Sequence, residues 1–297
     1  MQSWDDMRIF LSVARSETLS GAGKVLRMDP ATVGRRIARL EEAIGQALFA
    51  KSQQGYTLTE AGTRMVDHAE RAETAMQAAT ASVAGSTEAL SGQIRIGAPD
   101  GCANFVLPRV FAELGKANPD LDLQIVALPR VVNLSRREAD MAITVSPPTA
   151  LRLSYQRITD YRLHLAASET YLSQHAPLTA LTDLREHRIV GYIPDMIFDK
   201  ELDYLNDMPV DRVALASNAA SVQLQLLRQH GGIGIAHDFA LPFAPGVRRV
   251  LTDQLSFTRS FYLVRHAEDR RLDRISRFAK ALVDSVRAEV GRLEALL

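Results

Sequence analysis

The sequence has few of the features that mark secreted, membrane-spanning or metal-dependent proteins. It has one cysteine in 297 residues, which excludes an intramolecular disulfide and is typical of a reducing compartment. Its seven histidines are scattered without the paired spacing of a metal site. No apolar run approaches the roughly 20 residues needed to span a bilayer, and the polar start of the chain has no signal-peptide pattern. We therefore expect a cytoplasmic protein with no membrane partner, no metal and no other cofactor.

Excess charge and catalytic motifs are also missing. The 35 basic residues balance the 35 acidic ones, so the protein is not coated in positive charge, although DNA binding depends on local charge rather than on the total. The sequence has no nucleophile elbow, phosphate loop or metal triad. The pair Gly232 and Gly234 precedes a predicted strand, whereas a dinucleotide-binding loop follows one. We expect a protein that is not an enzyme.

The most informative segment is a predicted helix from Pro30 to Ile44. Asp29 is a good N-cap, Pro30 suits the first helical position, and Gly45 stands where a left-handed residue ends a helix. One face is an apolar stripe of Val33, Ile37, Leu40 and Ile44. The other face carries Thr32, Arg35, Arg36 and Arg39. A short helix that is apolar behind and arginine-rich in front suits the major groove of DNA, because arginine can bind guanine edges and phosphates.

A basic helical face is more often a solvent-exposed surface than a DNA-binding one, so the interpretation depends on the elements that flank this helix. A first helix, capped by Ser3 and Asp6, and a second helix from Ser20 to Leu26 lead into the arginine-rich helix through a tight turn. Two short strands at 47–51 and 55–59 follow as a β-wing. This order predicts a winged helix-turn-helix. The predicted DNA contacts are Pro30, Ala31, Thr32, Arg35, Arg36 and Arg39 of the helix and Lys51, Gln53 and Tyr56 of the wing.

A long alanine-rich helix is predicted after the wing. Its apolar positions alternate spacings of four and three, which is the pattern of a coiled-coil seam. The predicted dimer seam consists of Met65, Ala69, Ala72, Met76, Ala79 and Val83. The alternative is that this face lies on the core of its own domain.

The remaining chain alternates strands and helices, which predicts parallel α/β sheets with helices on both faces. Ligands of such sheets bind at the carboxyl ends of the strands. The loops at these ends, with their neighbours, supply the predicted effector-binding residues Asp100, Gly101, Cys102, Ala103, Asn104, Arg130, Ser146, Ser217, Asn218 and His237. Helix N-termini there favour a carboxylate ligand, although Asp100 would repel one unless it caps its own helix.

Simpler interpretations of these loops stay open. Ser217 or Asn218 can serve only as a helix cap, and Arg130 can be only a surface charge, with no role in ligand binding. Cys102 fits a small, semi-buried residue better than a redox sensor, since the sequence offers no resolving cysteine.

The quoted motifs resemble those of the LysR-type transcriptional regulators. The resemblance is carried by residues 10–14, 19–26, 31–41, 48–49 and 58–62, and more weakly by 138–143 and 231–236. One departure is Asp29-Pro30, where the family often has Ser-Gln, so the operator sequence cannot be carried over. The effector half alone would also permit a solute-binding protein without a regulatory role, which the helix-turn-helix opposes.

The resemblance implies an α/β protein overall, with three parts. These are a winged helix-turn-helix at 1–62, a linker dimerisation helix at 63–91, and an effector-binding domain at 92–297 with the fold of type 2 periplasmic binding proteins. That domain divides into lobe I (92–162 and 266–297) and lobe II (163–265), with crossovers near 160–163 and 265–267. The implied partners are double-stranded DNA with a dyad-symmetric operator, a small-molecule effector, and further copies of the chain as a homodimer or homotetramer. RNA polymerase is left open as a partner.

Overall fold

The chain divides into two compact units, Met1–Glu88 and Ala89–Leu297. The computed structural model describes residues 4–52, 55–83, 90, 92–127, 139–150, 153–205, 208–267 and 273–297. Gln53 and Arg130, both predicted contact residues, lie outside these ranges. Within them, no helix is both long enough and apolar enough to cross a membrane.

The described part of the first unit consists of three shorter helices, a two-stranded wing and one long helix. Its described elements are α1 (Trp4–Ser16), α2 (Leu19–Leu26), α3 (Pro30–Ile44), β1 (Phe49–Ser52), β2 (Gly55–Leu58) and α4 (Glu60–Val83). The predicted caps of α3 are confirmed: Asp29 Oδ1 accepts the N–H groups of Ala31 and Thr32 at 2.9 and 3.2 Å, and Gly45 ends the helix at φ +76°. The predicted division at residue 62 falls inside α4.

The core of this unit joins the apolar stripe of α3 to α1 and β1. Val33, Ile37 and Leu40 are buried against Phe10, whose ring lies 5.3 Å from that of Phe49. Glu41 Oε1 accepts the N–H groups of Leu48 and Phe49 at 2.8 and 3.0 Å, so α3 also fixes the start of the wing.

The second unit contains one large sheet. Its described strands are β3 (Gly92–Ala98), β4 (Leu121–Ala127), β5 (Met141–Thr144), β6 (Leu153–Ser168), β7 (Ile189–Gly191), β8 (Leu215–Ala216), β9 (Ile233–His237), β10 (Val247–Arg249) and β11 (Phe257–His266). The order is β4-β3-β5-β11-β6-β9-β7-β8, and β10 pairs with the end of β6. Its described helices are α5 (Asp100–Phe105), α6 (Leu107–Ala117), α7 (Glu169–Gln174), α8 (Ala220–Arg228) and α9 (Asp273–Glu294).

The sequence predicted parallel strands, whereas this sheet is mixed. β3 runs parallel to β4 and β5, and β7 runs parallel to β8 and β9. The long strands β6 and β11 are antiparallel to each other and to β9 and β5. The sequence predicts only the segments 163–167 and 261–264 of these two strands, because the residues that flank those segments are often polar.

The strands β6 and β11 connect two halves of the sheet. β5 pairs with residues 262–264 of β11, and β9 pairs with residues 163–167 of β6. We call the half with β3–β5 lobe I and the half with β7–β10 lobe II. β11 has a register irregularity between Phe261 and Tyr262 and pairs with β5 from Tyr262 onwards, and the predicted crossover at 265–267 includes its last two residues. α9 then packs against α6 of lobe I and against β6.

Candidate functional site

The face of α3 that points away from the core presents the predicted DNA contacts. Pro30, Ala31, Arg35 and Arg39 are exposed, and Thr32 is half-buried. The Arg35 guanidinium donates a hydrogen bond to Thr32 Oγ1 at 2.9 Å, so the two residues form one exposed pair. A donor group held near the start of an exposed helix can reach base edges in a major groove.

Arg36 makes a contact that the sequence did not predict. Its Nε donates to Asp6 Oδ1 at 2.6 Å, and its side chain is 28% exposed against 8% for Asp6. Arg39 reaches the same carboxylate at 3.4 Å from the exposed side. Asp6 was predicted to form a capping box with Ser3, which lies outside the described residues; in the fold Asp6 also joins α1 to α3. Sequence analysis missed this pairing because the two residues are 30 positions apart.

The wing presents one of its predicted contacts and partly buries another. Lys51 is exposed and pairs in register with Tyr56, with its Nζ 6.0 Å from the centre of the tyrosine ring. The ring of Tyr56 packs edge-on against Phe49 at 5.7 Å. Tyr56 therefore packs on the core of the first unit and is also partly exposed at the surface of the wing.

The residues of the predicted α4 seam differ in burial along the helix. Met65 and Ala69 pack on the core of their own unit, which was the alternative interpretation, and Ala69 is buried. One turn later the same stripe is exposed at Ala72 and Met76, the latter at 50%. The side chains of Ala79 and Val83 lie outside those that the structure describes.

In the second unit, a narrow cleft lies between the lobes at the carboxyl ends of β3, β5 and β9. Lobe I contributes Pro99, Asp100, Gly101, Cys102 and Val145; the crossing strands contribute Tyr161 and Phe261; lobe II contributes Tyr192, Phe198, Leu202, Asn218, Ala220 and His237. The space that they leave is about 20 Å³, which holds about one water molecule. The cleft is therefore nearly filled by the protein's own side chains.

Asp100 does not cap its own helix, α5. Its Oδ2 accepts the N–H of Ser221 at 2.7 Å and its Oδ1 accepts the Ser221 hydroxyl at 3.2 Å. Ser221 is the second residue of α8, so a carboxylate of lobe I lies at the start of a lobe II helix. Asn104 donates to Asp100 Oδ1 at 2.9 Å and serves to hold the carboxylate.

Other predicted effector residues also make internal contacts. Ser146 Oγ donates to Asp199 Oδ1 at 2.9 Å, a second bond between the lobes. Ser217 Oγ accepts the N–H of Ala219 at 3.1 Å, which fits the simpler interpretation of a local cap. Ala103 is buried but does not line the cavity.

Sequence analysis missed the aromatic wall of the cleft. Tyr161 and Phe261 stack at 4.2 Å on the crossing strands, and Tyr161 lies 5.6 Å from the ring of His237. An aromatic residue within a strand is typical of a core, so only the crossing of β6 and β11 reveals that these side chains face a cavity. The signal that was available is their position near the predicted crossovers.

His237 should make the stability of the second unit depend on pH. Burial lowers its pKa from 6.5 to about 4. Between these values the unfolded chain binds more protons than the folded one, so the free energy of unfolding falls as the pH is lowered from about 6.5 towards 4. We expect a loss of about 2 kcal/mol, less than the full shift implies because the ring is partly accessible.

Urea denaturation at about pH 7.5 and about pH 5 measures this effect. The matched variant is His237→Phe, which keeps a ring beside Tyr161 and Phe239 but cannot be protonated. It should lose less stability than the parent over the same interval. An equal loss in both proteins would show that His237 is not the responsible group.

Comparisons with known proteins agree with this architecture. Residues 4–63 match the model for the bacterial regulatory helix-turn-helix proteins of the lysR family, and residues 87–287 match that for the LysR substrate binding domain. The HTH-type transcriptional regulator DmlR of Escherichia coli K12 is 29% identical over 181 residues, which are 61% of this chain and 59% of DmlR. A probable hydrogen peroxide-inducible genes activator of Mycobacterium avium is 28% identical over 235 residues, 77% of this chain and 75% of that protein.

Solved structures show the same fold. A full-length OxyR variant from Pseudomonas aeruginosa has a TM-score of 0.76 at 16% identity, covering 97% of this chain and 95% of its own. The regulator CrgA from Neisseria meningitidis has a TM-score of 0.59 at 22% identity, covering 96% and 99%. The family models together span nearly the whole chain, which therefore belongs to the LysR family of bacterial helix-turn-helix regulators.

Proposed function

We propose that this protein is a sequence-specific DNA-binding transcriptional regulator of the cytoplasm whose activity a small-molecule effector modulates. The observation that carries the proposal is the exposed face of α3, where Arg35 and Thr32 lie on the side opposite a buried apolar stripe. Arg35 reads base edges, Arg39 and Lys51 contact phosphates, and Arg36 positions the helix through Asp6. A solute-binding role without DNA binding is not favoured, because it does not account for the helix-turn-helix of the first unit.

The functional form in this proposal is a homodimer on a dyad-symmetric operator. The exposed continuation of the α4 stripe, Ala72 and Met76, supports it. Met65 and Ala69 of the same stripe pack on the core of their own unit, whereas Ala72 and Met76, the next members, are exposed in the single chain. A second copy of α4 supplies an equivalent stripe by symmetry.

The effector in this proposal binds the cleft between the lobes. Because the cleft is nearly filled, the two lobes must move apart before an effector can bind. The effector then alters DNA binding because it has different affinities for the closed and the open arrangement of the lobes. The cleft offers aromatic walls together with the polar groups of Asn218 and Asp100.

Electrophoretic mobility shift with the chain's own upstream DNA tests the regulatory function. We expect a specific complex that excess unlabelled upstream fragment competes away and a scrambled fragment of equal length does not. The affinity should fall steeply with salt, because phosphate contacts release counterions. Equal competition by the two fragments would contradict sequence-specific binding. A thermal-shift screen of metabolites then identifies the effector.

A further inference from the structure

The contact between Asp100 and α8 joins the two lobes of the effector cleft. α8 begins at Ala220, and its first N–H groups have no partner within the helix, so its start attracts negative charge. Asp100 Oδ2 takes the N–H of Ser221, while Oδ1 takes the Ser221 hydroxyl and the amide of Asn104. The carboxylate thus has three donors and lies where an anionic ligand would lie.

A second observation points to the same cavity as a ligand site. Tyr161 lines it and is 1% exposed, and its buried hydroxyl has no hydrogen-bond partner among the described residues. Buried hydroxyl groups in proteins are normally paired with protein or with water. The cleft therefore contains a carboxylate, that of Asp100, at the start of α8, and a hydroxyl group, that of Tyr161, which is available to a ligand.

Further contacts hold the lobes together around this cavity. Ser146 bonds Asp199 at 2.9 Å, and the rings of Phe105 and Phe243 lie 5.4 Å apart. A β-carbon built on Gly101 would lie only 3.5 Å from Cε1 of His237. The two lobes are therefore in close contact around the cavity.

We propose that Asp100 is an internal substitute for an anionic effector, whose carboxylate occupies the start of α8 and holds the two lobes closed. The proposal rests on the proposed function of this cleft and specifies its regulation. A free carboxylate cannot occupy the α8 position unless it displaces Asp100, which is tethered at high effective concentration. Simple carboxylates are therefore not ligands of the parent protein at this position, and removal of the Asp100 side chain turns the cleft into a site for them.

The rate at which a reagent labels the only cysteine of the chain can report whether the two lobes are closed. Cys102 lines the cavity, is 1% exposed and lies two residues from Asp100. Burial raises the pKa of its thiol, so a thiol reagent reacts slowly unless the cleft opens. N-ethylmaleimide is uncharged and does not itself compete for an anion position.

The experiment compares N-ethylmaleimide labelling of the full-length parent and Asp100→Ala, in formate or in chloride of equal ionic strength. The loss of charge-assisted hydrogen bonds should speed labelling of Asp100→Ala about tenfold or more in chloride. Formate should slow it again by occupying the vacated position, and should leave the parent rate unchanged. Labelling of Asp100→Ala at the parent rate, or acceleration that formate does not reverse, would overturn the proposal.

Two further variants separate this effect from a general loss of stability. Asp183 also accepts backbone N–H groups, from Thr179 and Ala180 at 2.8 and 2.9 Å, but lies on the surface of lobe II. Asp183→Ala should show no formate-dependent labelling of Cys102. Asp100→Asn keeps the shape of the side chain without its charge and should label faster than the parent; an equal rate would overturn the proposal even if Asp100→Ala did not fold. None of these assays contains DNA, so a failure of operator binding is detected separately by mobility shift.

Discussion

Arg36→Ala should lower the stability of the first unit by about 2 kcal/mol, whereas Arg35→Ala should lower operator affinity about tenfold or more without changing stability. The two arginines are neighbours with different surroundings. Arg36 bonds the nearly buried carboxylate of Asp6 at 2.6 Å, and its removal takes away the shorter of the two arginine contacts that the structure describes for that carboxylate. Arg35 is exposed and bonds only Thr32 among the contacts that the structure describes, so its loss leaves no buried group unpaired.

Chemical denaturation and mobility shift, applied to both variants, measure the two effects. Affinity must be measured where each variant is folded, because partial unfolding of Arg36→Ala would itself weaken binding. Asp6→Asn is the matched test of the ion pair, since it keeps the side-chain shape and removes the charge. A stable Arg36→Ala with strongly reduced operator affinity would instead return Arg36 to the DNA-reading face. Unchanged affinity of Arg35→Ala would remove α3 as the recognition helix.

Ala72→Glu should disrupt the dimer and, with it, operator binding, although no predicted DNA contact changes. Two-fold symmetry places the new carboxylate near its counterpart from the partner chain in an apolar seam, where an unpaired charge costs about 3 kcal/mol or more. Ala72 is exposed within a single chain, so the fold of the first unit should persist. Light scattering measures the assembly, and circular dichroism checks that the helices are retained.

Ala72→Ser is the control for this experiment. Serine is small and uncharged, so it allows the same close approach of two helices and should assemble as the parent does. If Ala72→Glu and the parent have the same molar mass in solution at all concentrations tested, then this part of α4 does not form the seam. Ala69→Glu would not be informative, because Ala69 is buried in its own unit and its replacement would disturb the fold.

Local sequence was most informative where one short segment carries a complete signal. The caps of α3 and its apolar stripe lie within 17 consecutive residues, and the structure has them as predicted. The wing is likewise local, since its strands β1 and β2 are close in sequence and pair with each other as far as Ser52 and Gly55. By contrast, the spacing of Phe105, Val106, Val110, Phe111 and Leu114 predicts one helix, whereas the structure has two, α5 and α6, because Pro108 lacks the N–H group that would continue the hydrogen-bond pattern.

The sequence by itself therefore determined the order of the elements, the arginine-rich helix and the loops that meet at the cleft, since periodicity, capping and strand ends are local properties. Only the tertiary structure decided what those loops do. It brings Asp6 to Arg36 across 30 positions and Asp100 to Ser221 across 121, and no local pattern specifies which carboxylate meets which donor. The same limit applies to Tyr161, whose strand gives no indication of the cavity until β6 and β11 cross. Such pairings depend on the packing of distant elements, which is why neither the ion pair of Arg36 with Asp6 nor the contact of Asp100 with the start of α8 was predicted.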